Sequence, residues 1–234
     1  MKMNYKGNEL ELFQHAVNWK NYFGNYIRPH LHGSVLEVGA GIGATTKVLC
    51  DGSQKEWCCL EPDEEMFEIL SKKIVIKELP SVCTAFQGTI NDLPPGKMFD
   101  VILYIDVIEH IENDKSELFN AVKYLKSGGK LVILVPAHQE LFTPFDKEIG
   151  HFRRYDEKSL EDVIPKEMKS ISIKYLDSLG TFAVAVNKYI LRQNYPSMNQ
   201  VQFWDKWMIP ASRIIDGIFR YRAGKSLLGI WFKM

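Results

Sequence analysis

Two histidines are the side chains best suited to acid–base chemistry in this sequence, His110 in IDVIEHI and His151 in GHFRRY. An imidazole titrates near neutrality and can therefore accept a proton from a reacting group. His110 follows an apolar run, where it could equally cap a helix or bond the backbone. His151 lies in a polar and aromatic stretch that is difficult to explain as core. We therefore predict that His151 acts as a base or orients a substrate, with His110 and Tyr155 as further catalytic candidates.

Two arginines, Arg153 and Arg154, closely follow His151. A guanidinium matches the geometry of phosphate, sulfate and carboxylate groups, so the pair could bind an oxyanion on a substrate. Salt bridges within the chain are an equally good interpretation. The acids that could form them are Asp146, Asp156 and Glu157. The aromatic residues Tyr22 and Phe145 complete the predicted substrate-binding set.

The stretch VLEVGAGIGATT, residues 35–46, joins an apolar run to closely spaced glycines and a helical segment. A glycine turn between a strand and a helix presents backbone N–H groups and a helix N-terminus to a ligand. Gly39, Gly41 and Ala44 satisfy the dinucleotide form of this pattern, with Glu61 about 20 residues beyond it. NAD(P) and S-adenosylmethionine therefore compete for the site.

The acid Glu37, two residues before Gly39, favours the second of these ligands. A carboxylate there would repel the pyrophosphate of a dinucleotide, whereas S-adenosylmethionine brings a sulfonium and an ammonium and no phosphate. Acids recur where the predicted strands end, at Glu61, Asp92 and Asp106. This distribution predicts a cationic ligand.

Apolar runs alternate with helical patterns over the first ~150 residues. This alternation predicts a parallel sheet with crossover helices, and these elements must position the residues described above. The predicted strands are Ser34–Val38, Trp57–Leu60, Val82–Gln87, Val101–Tyr104 and Lys130–Val135. The predicted helices between them are Thr45–Cys50, Glu64–Lys72 and Lys115–Lys126. We expect Gly128–Gly129 to stop the last helix.

Two further regions flank this core in what we predict to be a single domain. Residues 1–33 are rich in aromatic side chains and predict a helical cap, and residues 34–135 form the cofactor-binding core. Residues 136–234 begin with a long polar and aromatic connection that we assign to the substrate side. KSISIKYLDS and SLLGIWFK then predict two more strands, separated by helices over Thr181–Arg192 and Phe203–Arg222.

Composition excludes several classes of protein. A formal net charge of zero argues against a general nucleic-acid binder. The polar N-terminus shows no secretion signal, and no run of about 18 apolar residues predicts a spanning helix. The four cysteines include no CxxC pair, so we expect reduced, buried thiols in a cytoplasmic protein.

The tail VQFWDKWMIPASRIIDGIFRY, residues 201–221, is amphipathic and aromatic. Such a helix could lie on a membrane or contact a lipid-linked substrate, although packing against the sheet is the commoner arrangement and the one we predict. Pro210 would kink this helix or mark its start.

Five motifs, in order, resemble those of the class I S-adenosylmethionine-dependent methyltransferases, and the resemblance covers nearly the whole chain. They are VLEVGAGIG, the ribose-binding CLEPDEEM, the adenine-side FQGTINDLP, the fourth-strand FDVILYIDVIEHIEND and the fifth-strand LKSGGKLVILVPA. GHFRRY is similar to a segment of a bacterial subgroup often encoded near glycan or natural-product genes. The resemblance implies a Rossmann-like, doubly wound α/β fold. Its sheet would have seven mostly parallel strands with an antiparallel last strand, flanked by helices.

The resemblance also implies roles for individual residues. The glycine loop would approach the methionine part of the cofactor, and Glu61 would bind both ribose hydroxyls. Met66 and Ile90 would enclose the adenine. The predicted cofactor-binding set is Glu37, Gly39, Ala40, Gly41, Gly43, Glu61, Pro62, Met66, Gly88, Thr89, Ile90, Tyr104, Ile105 and Asp106.

The implied activity is methyl transfer from S-adenosyl-L-methionine to an oxygen or nitrogen of a small molecule or glycan intermediate, leaving S-adenosyl-L-homocysteine. In-line transfer requires a positioned nucleophile and, for a hydroxyl, removal of its proton. An NAD(P)-dependent oxidoreductase remains an alternative, with Tyr221-x-x-x-Lys225 as its extra support. A non-catalytic S-adenosylmethionine-binding subunit is another. The sequence predicts no particular oligomeric state.

Asp106, Glu109 and His110 also raise the question of a metal ion. Their spacings place them on adjoining faces if a helix begins there. Some O-methyltransferases with a similar E-x-x-E-H pattern use a divalent ion, but the first position is an aspartate here. We therefore expect no metal.

Overall fold

A seven-stranded sheet in the order β3-β2-β1-β4-β5-β7-β6 forms the centre of the chain. The computed structural model describes residues 12–191 and 196–234, so the start of the predicted cap and Arg192 lie outside the described residues. The strands are β1 Ser34–Val38, β2 Glu56–Glu61, β3 Cys83–Gln87, β4 Phe99–Ile105, β5 Leu125–Pro136, β6 Met168–Leu176 and β7 Ser226–Lys233. β1 to β5 pair in parallel, and β7 is antiparallel to both β5 and β6. The predicted mixed sheet with its antiparallel last strand is confirmed.

Helices flank this sheet. In the described residues they are α1 Val17–Ile27, α2 Thr46–Leu49, α3 Glu64–Val75, α4 Asp114–Lys123, α5 Pro144–Glu148, α6 Glu157–Val163, α7 Ser178–Val186, α8 Met198–Phe203 and α9 Ile209–Ile218. Two π-helical segments, Asn187–Leu191 and Trp204–Met208, extend α7 and join α8 to α9.

The central strands are apolar on both faces because both faces of the sheet are covered. All residues of β1 are buried, and alternate side chains enter two separate cores. Val35 packs on the α1 side together with Trp57. Leu36 packs on the α4 side together with Ile102 and Leu118.

The connection from α4 to β5 differs from the prediction. The helix ends at Lys123 and the strand begins at Leu125, so a helix to Lys126 stopped by Gly128–Gly129 is wrong. The glycine pair lies inside β5, where the pairing with β4 changes register and Gly128 has φ of 75°. Extra residues in one strand need such a local distortion, and glycine adopts the left-handed backbone without steric cost.

The predicted helix Phe203–Arg222 belongs to a longer helical stretch, residues 198–218, which we call the C-terminal helix. It begins at a capping box formed by Ser197. The π-helical turn Trp204–Met208 precedes Pro210, which has no N–H to bond the preceding turn. Pro210 therefore lies in the first turn of α9, one of the two arrangements expected for it.

Buried acids tie α1 to the C-terminal helix. Asp216 is fully buried, and Tyr22 donates its hydroxyl to Asp216 over 2.7 Å. Asp205 accepts the backbone N–H of Trp19 over 2.8 Å. Tyr22 was predicted to bind substrate, but only 1% of it is exposed. Its hydroxyl instead holds two helices together.

All four cysteines are free and buried, as predicted. Among the described residues, no helix has the length and apolar character needed to cross a membrane.

Candidate cofactor and acceptor site

A cleft of about 720 Å³ opens at the carboxyl ends of β1, β4 and β5. β1 and β4 are neighbours in the sheet, and the strand order reverses between them. Open α/β sheets bind ligands at such a point, because the connections leave in opposite directions and the crevice stays open. From the predicted sets, the cleft lining contains Gly39, Ala40, Gly41, Ile105, Asp106, His110, Phe145, His151 and Arg154.

The loop after β1 requires glycine at two positions for different reasons. Gly39 has φ of 66°, and a Cβ there would lie 2.7 Å from Val107 Cγ2. Gly43 has φ of 77°, and its Cβ would lie 2.9 Å from Leu70 Cδ1. Gly39 lines the cleft, whereas Gly43 is not among the lining residues and lets α3 pack closely.

Glu61, at the end of β2, supports this loop. Its Oε2 accepts the N–H of Gly41 over 2.7 Å, and its Oε1 accepts the N–H of Asp63 over 2.9 Å. Burial raises the pKa of Glu61, although these two hydrogen bonds lower it. A carboxylate held in this way lies beside the glycine loop. Its contact with a ribose stays a prediction.

Glu37 does not point into the cleft. Only 2% of it is exposed, and its Oε2 accepts hydrogen bonds from Thr46 Oγ1 at 2.7 Å and Trp57 Nε1 at 2.8 Å. It therefore holds α2 on the sheet, and it is not among the lining residues. The expectation that its charge faces a cationic ligand needs this correction. Burial raises the pKa of Glu37 to about 7, despite the two hydrogen bonds that lower it.

This raised pKa predicts that the protein loses stability as the pH rises from 4.5 to about 7. In that window the folded chain keeps a proton that the unfolded chain releases, so the free energy of unfolding falls with rising pH. The expected loss is about 3 kcal/mol, at roughly 1.4 kcal/mol per pKa unit. Urea unfolding between about pH 4.5 and about pH 8 measures it.

Relative to the parent, Glu37→Gln should lack this loss of stability, whereas the exposed Glu64→Gln should show the same pH dependence as the parent. Parallel stability curves for the parent and Glu37→Gln would contradict the assignment.

The residues predicted to hold adenine lie outside this cleft lining. Ile90 is completely buried in the core on the α4 side. Thr89 donates its N–H and its hydroxyl to Asp92 Oδ2, over 2.8 Å and 2.7 Å. The Gly88 N–H donates to the carbonyl of Glu61, which ties β3 to β2. Met66 and Pro62 are half-buried.

Of the predicted fourth-strand residues, Ile105 and Asp106 line the cleft but Tyr104 does not. Tyr104 is completely buried and donates its hydroxyl to Glu117 over 2.9 Å. Asp106 is exposed to the cleft and has φ of 54°. Desolvation by the surrounding protein raises the pKa of Asp106 to about 6, although the neighbouring His151 and Lys225 act to lower it.

Two lysines of the cleft lining were not predicted as site residues, Lys20 and Lys225. Lys20 donates to the carbonyl of Phe13 over 2.6 Å, and burial lowers its pKa to about 8. Lys225 Nζ lies 3.7 Å from the ring centre of Trp204, and burial lowers its pKa as well. Both lysines lie in segments of the sequence that are rich in aromatic residues, and this context is the feature from which they could have been predicted.

The two predicted histidines contact each other in the cleft. Their ring centres are 4.4 Å apart at an angle of 83°. His151 Nδ1 lies 3.2 Å from Asp146 Oδ1, and His151 Nε2 lies 3.9 Å from Glu109 Oε1. Burial and the neighbouring His151 lower the pKa of His110 to about 3. His110 is therefore neutral and a poor proton acceptor at physiological pH.

Glu109 is the least expected member of this group. It is completely buried, and neither carboxylate oxygen has a hydrogen-bond partner among the described residues. The pKa of Glu109 is raised well above its usual range, mainly by burial and to a lesser extent by the charge of Asp106. Ligand atoms of Glu109, His110 and His151 lie within 4.8 Å of one another, so these side chains could hold a divalent cation. The absence of a metal stays a prediction.

Asp146 is the centre of the network behind His151. Arg154 binds the Asp146 carboxylate in a bidentate manner, with Nε donating to Oδ1 over 2.9 Å and Nη2 donating to Oδ2 over 3.0 Å. Thr143 donates its hydroxyl to the same carboxylate over 2.7 Å. Burial raises the pKa of Asp146, but His151, Arg154 and Thr143 together lower it to about 2. Asp146 therefore stays ionised and fixes the His151 ring.

Arg153 and Tyr155, the first arginine and the tyrosine of GHFRRY, lie outside the cleft lining. Arg153 forms a 2.6 Å ion pair with Asp114, and Tyr155 donates its hydroxyl to the same acid over 2.6 Å. Only 1% of Tyr155 is exposed. Arg153 and Arg154 thus both pair with acids of the chain, one through the predicted partner Asp146. This geometry favours the salt-bridge interpretation over binding of a substrate oxyanion.

The strand order, the glycine loop after β1 and the cleft at the β1–β4 reversal define the class I methyltransferase fold. Residues 36–131 match the family model described as Methyltransferase domain. The matched segment runs from β1 into β5 and contains the glycine loop, Glu61 and Asp106.

Methyltransferases from other organisms are similar to part of the chain. A demethylmenaquinone methyltransferase of Tropheryma whipplei is 32% identical over 146 residues, which cover 59% of this chain and 52% of the relative. A ubiquinone biosynthesis O-methyltransferase of Rickettsia akari is 40% identical over 99 residues, 42% of this chain and 38% of the relative. The chain spans about half the length, or less, of these relatives.

Solved structures match nearly the whole chain but at low identity. The N-methyltransferase NodS from Bradyrhizobium japonicum, in complex with S-adenosyl-L-homocysteine, has a TM-score of 0.60 and 13% identity, covering 99% of this chain and 93% of its own. The cyclase SpnF has a TM-score of 0.62 and 13% identity, covering 97% of this chain and 95% of its own. Likeness at this level shows the fold, which proteins of different activity share.

Proposed function

We propose that this protein transfers a methyl group from S-adenosyl-L-methionine to a hydroxyl of a small molecule with an apolar body. The observation that carries the proposal is His151, which lies in the cleft lining with its Nδ1 3.2 Å from Asp146 Oδ1. The same cleft is lined by Gly39 and Asp106, from the β1 and β4 ends. The proposed base and the proposed donor site therefore share one cavity.

The lining fits the donor through charge and backbone. Asp106 offers a carboxylate to a cationic ligand, and Gly39, Ala40 and Gly41 bring the backbone of the glycine loop to the wall of the cleft. When bound, S-adenosylmethionine supplies a methyl group that its sulfonium makes electrophilic. Glu61 supports Gly41 of this loop, and we infer that the ribose lies beside it.

The chain's own part in the reaction is positioning and proton removal. Asp146 bonds Nδ1 of His151, which leaves Nε2 to accept the proton of the acceptor hydroxyl. With its proton on Nε2, the acceptor oxygen would be free to take the methyl group of bound S-adenosylmethionine, which would leave as S-adenosylhomocysteine. The ionised Asp146 stabilises the resulting imidazolium. His110, with a pKa lowered to about 3, is disfavoured as the base.

An acceptor with an apolar body fits the walls of the cleft. Aromatic side chains from four separate segments line it, namely Phe13, Trp19, Phe23, Phe145 and Trp204. The names of two relatives refer to quinones, which also favours a ring-bearing acceptor. A free glycan offers little apolar area to such walls. Turnover of a hydroxylated aromatic ring but not of a free sugar, in the same assay, tests this choice.

Glu61→Ala should weaken S-adenosylhomocysteine binding by about 1.5–3 kcal/mol, the scale of hydrogen bonds to a charged group. This corresponds to roughly 10- to 150-fold in Kd. Titration calorimetry measures it, with the exposed Glu65→Ala as a matched control. Parent-like affinity in Glu61→Ala would remove Glu61 from the ribose site. Tight NAD binding without S-adenosylhomocysteine binding would overturn the proposed cofactor.

A further inference from the structure

The outer side of the C-terminal helix is apolar and exposed. Phe203, Trp207, Ile214 and Ile218 are between 60% and 72% exposed, and their spacing of four and seven residues places them along one side of the helix. The opposite side is buried in the core. We call these four residues the apolar face.

The exposed charges of the segment that bears this face have one sign. Between residues 196 and 223, both acids, Asp205 and Asp216, are buried and accept hydrogen bonds from α1. All the basic side chains in that range are exposed. They are Lys206, Arg213, Arg220 and Arg222. The exposed charge of the segment is therefore entirely positive.

The helix that bears the apolar face also walls the cleft. Val201, Trp204 and Met208 line the cleft from the inner side of the C-terminal helix, and Ala183 lines it from α7. Phe203 both lines the cleft and is 60% exposed. Apolar surface is thus continuous from the outside of the molecule into the site.

We propose that the apolar face docks on the headgroup region of an anionic lipid bilayer, from which an acceptor with an apolar tail enters the cleft. Its apolar side chains would enter the boundary between headgroups and acyl chains, and the exposed cations would pair with anionic lipids. A symmetric pair of copies is a poorer occupant, because it would bring the cations of one copy against those of the other. Only the entry of the acceptor rests on the proposed function.

The test is co-sedimentation of the full chain with phosphatidylcholine vesicles that contain or lack phosphatidylglycerol, without cofactor or acceptor. We expect binding to the anionic vesicles and roughly tenfold weaker binding, or more, to the neutral ones. Lys206→Gln with Arg213→Gln should weaken anionic-vesicle binding about 30-fold, at roughly fivefold per basic residue. Trp207→Ser with Ile214→Ser should weaken binding to both kinds of vesicle by about tenfold or more.

Val75→Ser is the matched control, because Val75 is 79% exposed on α3 and should leave binding unchanged. Calorimetry with S-adenosylhomocysteine shows whether each variant keeps a folded cofactor site. Parent-like vesicle binding by both double variants, or no binding by the parent, would overturn the proposal. A parent dimer that Trp207→Ser with Ile214→Ser dissociates would assign the face to a second copy instead. Because these readouts need no turnover, failed methyl transfer would leave them unaffected.

Discussion

His151→Ala should lower turnover by roughly 10²–10⁴, the usual contribution of a general base. His151 lies in the cleft, and Asp146 bonds its Nδ1 at 3.2 Å. Its removal leaves the acceptor hydroxyl protonated while the donor site at the glycine loop stays intact. S-adenosylhomocysteine affinity should therefore change little. Steady-state kinetics at saturating donor, together with calorimetry, measures both quantities.

Two comparisons separate the possible roles of His151. If His151 only positions the acceptor, the loss of kcat/KM is smaller and results mainly from a higher KM. His32→Ala removes an exposed histidine outside the cleft lining and should leave turnover at the parent level. Unchanged turnover of His151→Ala with a lower melting temperature would show that the residue is structural. A turnover that depends on an added divalent ion, and is lost in Glu109→Gln, would favour the metal instead.

Asp177→Ala should lower the free energy of unfolding by about 3–5 kcal/mol, the scale for breaking a buried charged network. Asp177 is completely buried where β6 passes into α7. It accepts hydrogen bonds from Trp204 Nε1 and Ser212 Oγ, each at 2.7 Å, and from the Gly180 N–H at 2.9 Å. Lys225 Nζ lies 3.7 Å away. Losing this acid leaves donors from three elements unpaired.

Urea unfolding with the exposed Asp162→Ala as a control measures this loss. Asp177 also has φ of 66°, which alanine adopts at a further cost of about 1–2 kcal/mol. Asp177→Asn accepts that backbone more readily and isolates the effect of the charge. A shift of the alanine variant no larger than that of the control would show that the network adds nothing measurable. Trp204 and Lys225 line the cleft, so a partly folded variant should also bind acceptor poorly.

Sequence by itself determined the order of the elements and the place of the donor loop. The apolar runs predicted the position of each strand. Burial of one face of an element requires apolar residues that recur with the period of that element, and this pattern is visible in a short stretch of sequence. Gly39 and Gly41 were recognised because a left-handed turn at a ligand needs glycine. The antiparallel β7 followed from the family resemblance.

Tertiary structure alone decided which side chains meet. Glu37 and Asp106 both lie where an apolar run ends. The side chain of Glu37 is nevertheless buried against α2, whereas Asp106 faces the cleft. A strand alternates its faces, but the sequence does not state which face a helix will cover.

The contacts around His151 have the same origin. His110 and His151 are distant in sequence, and their rings meet because the connection after β5 folds back over the end of β4. Lys20 and Lys225 come together in the cleft from opposite ends of the chain. Short-range patterns carry no information on such pairs. Their closeness depends on the crossing of strands and helices and on the packing that closes the core.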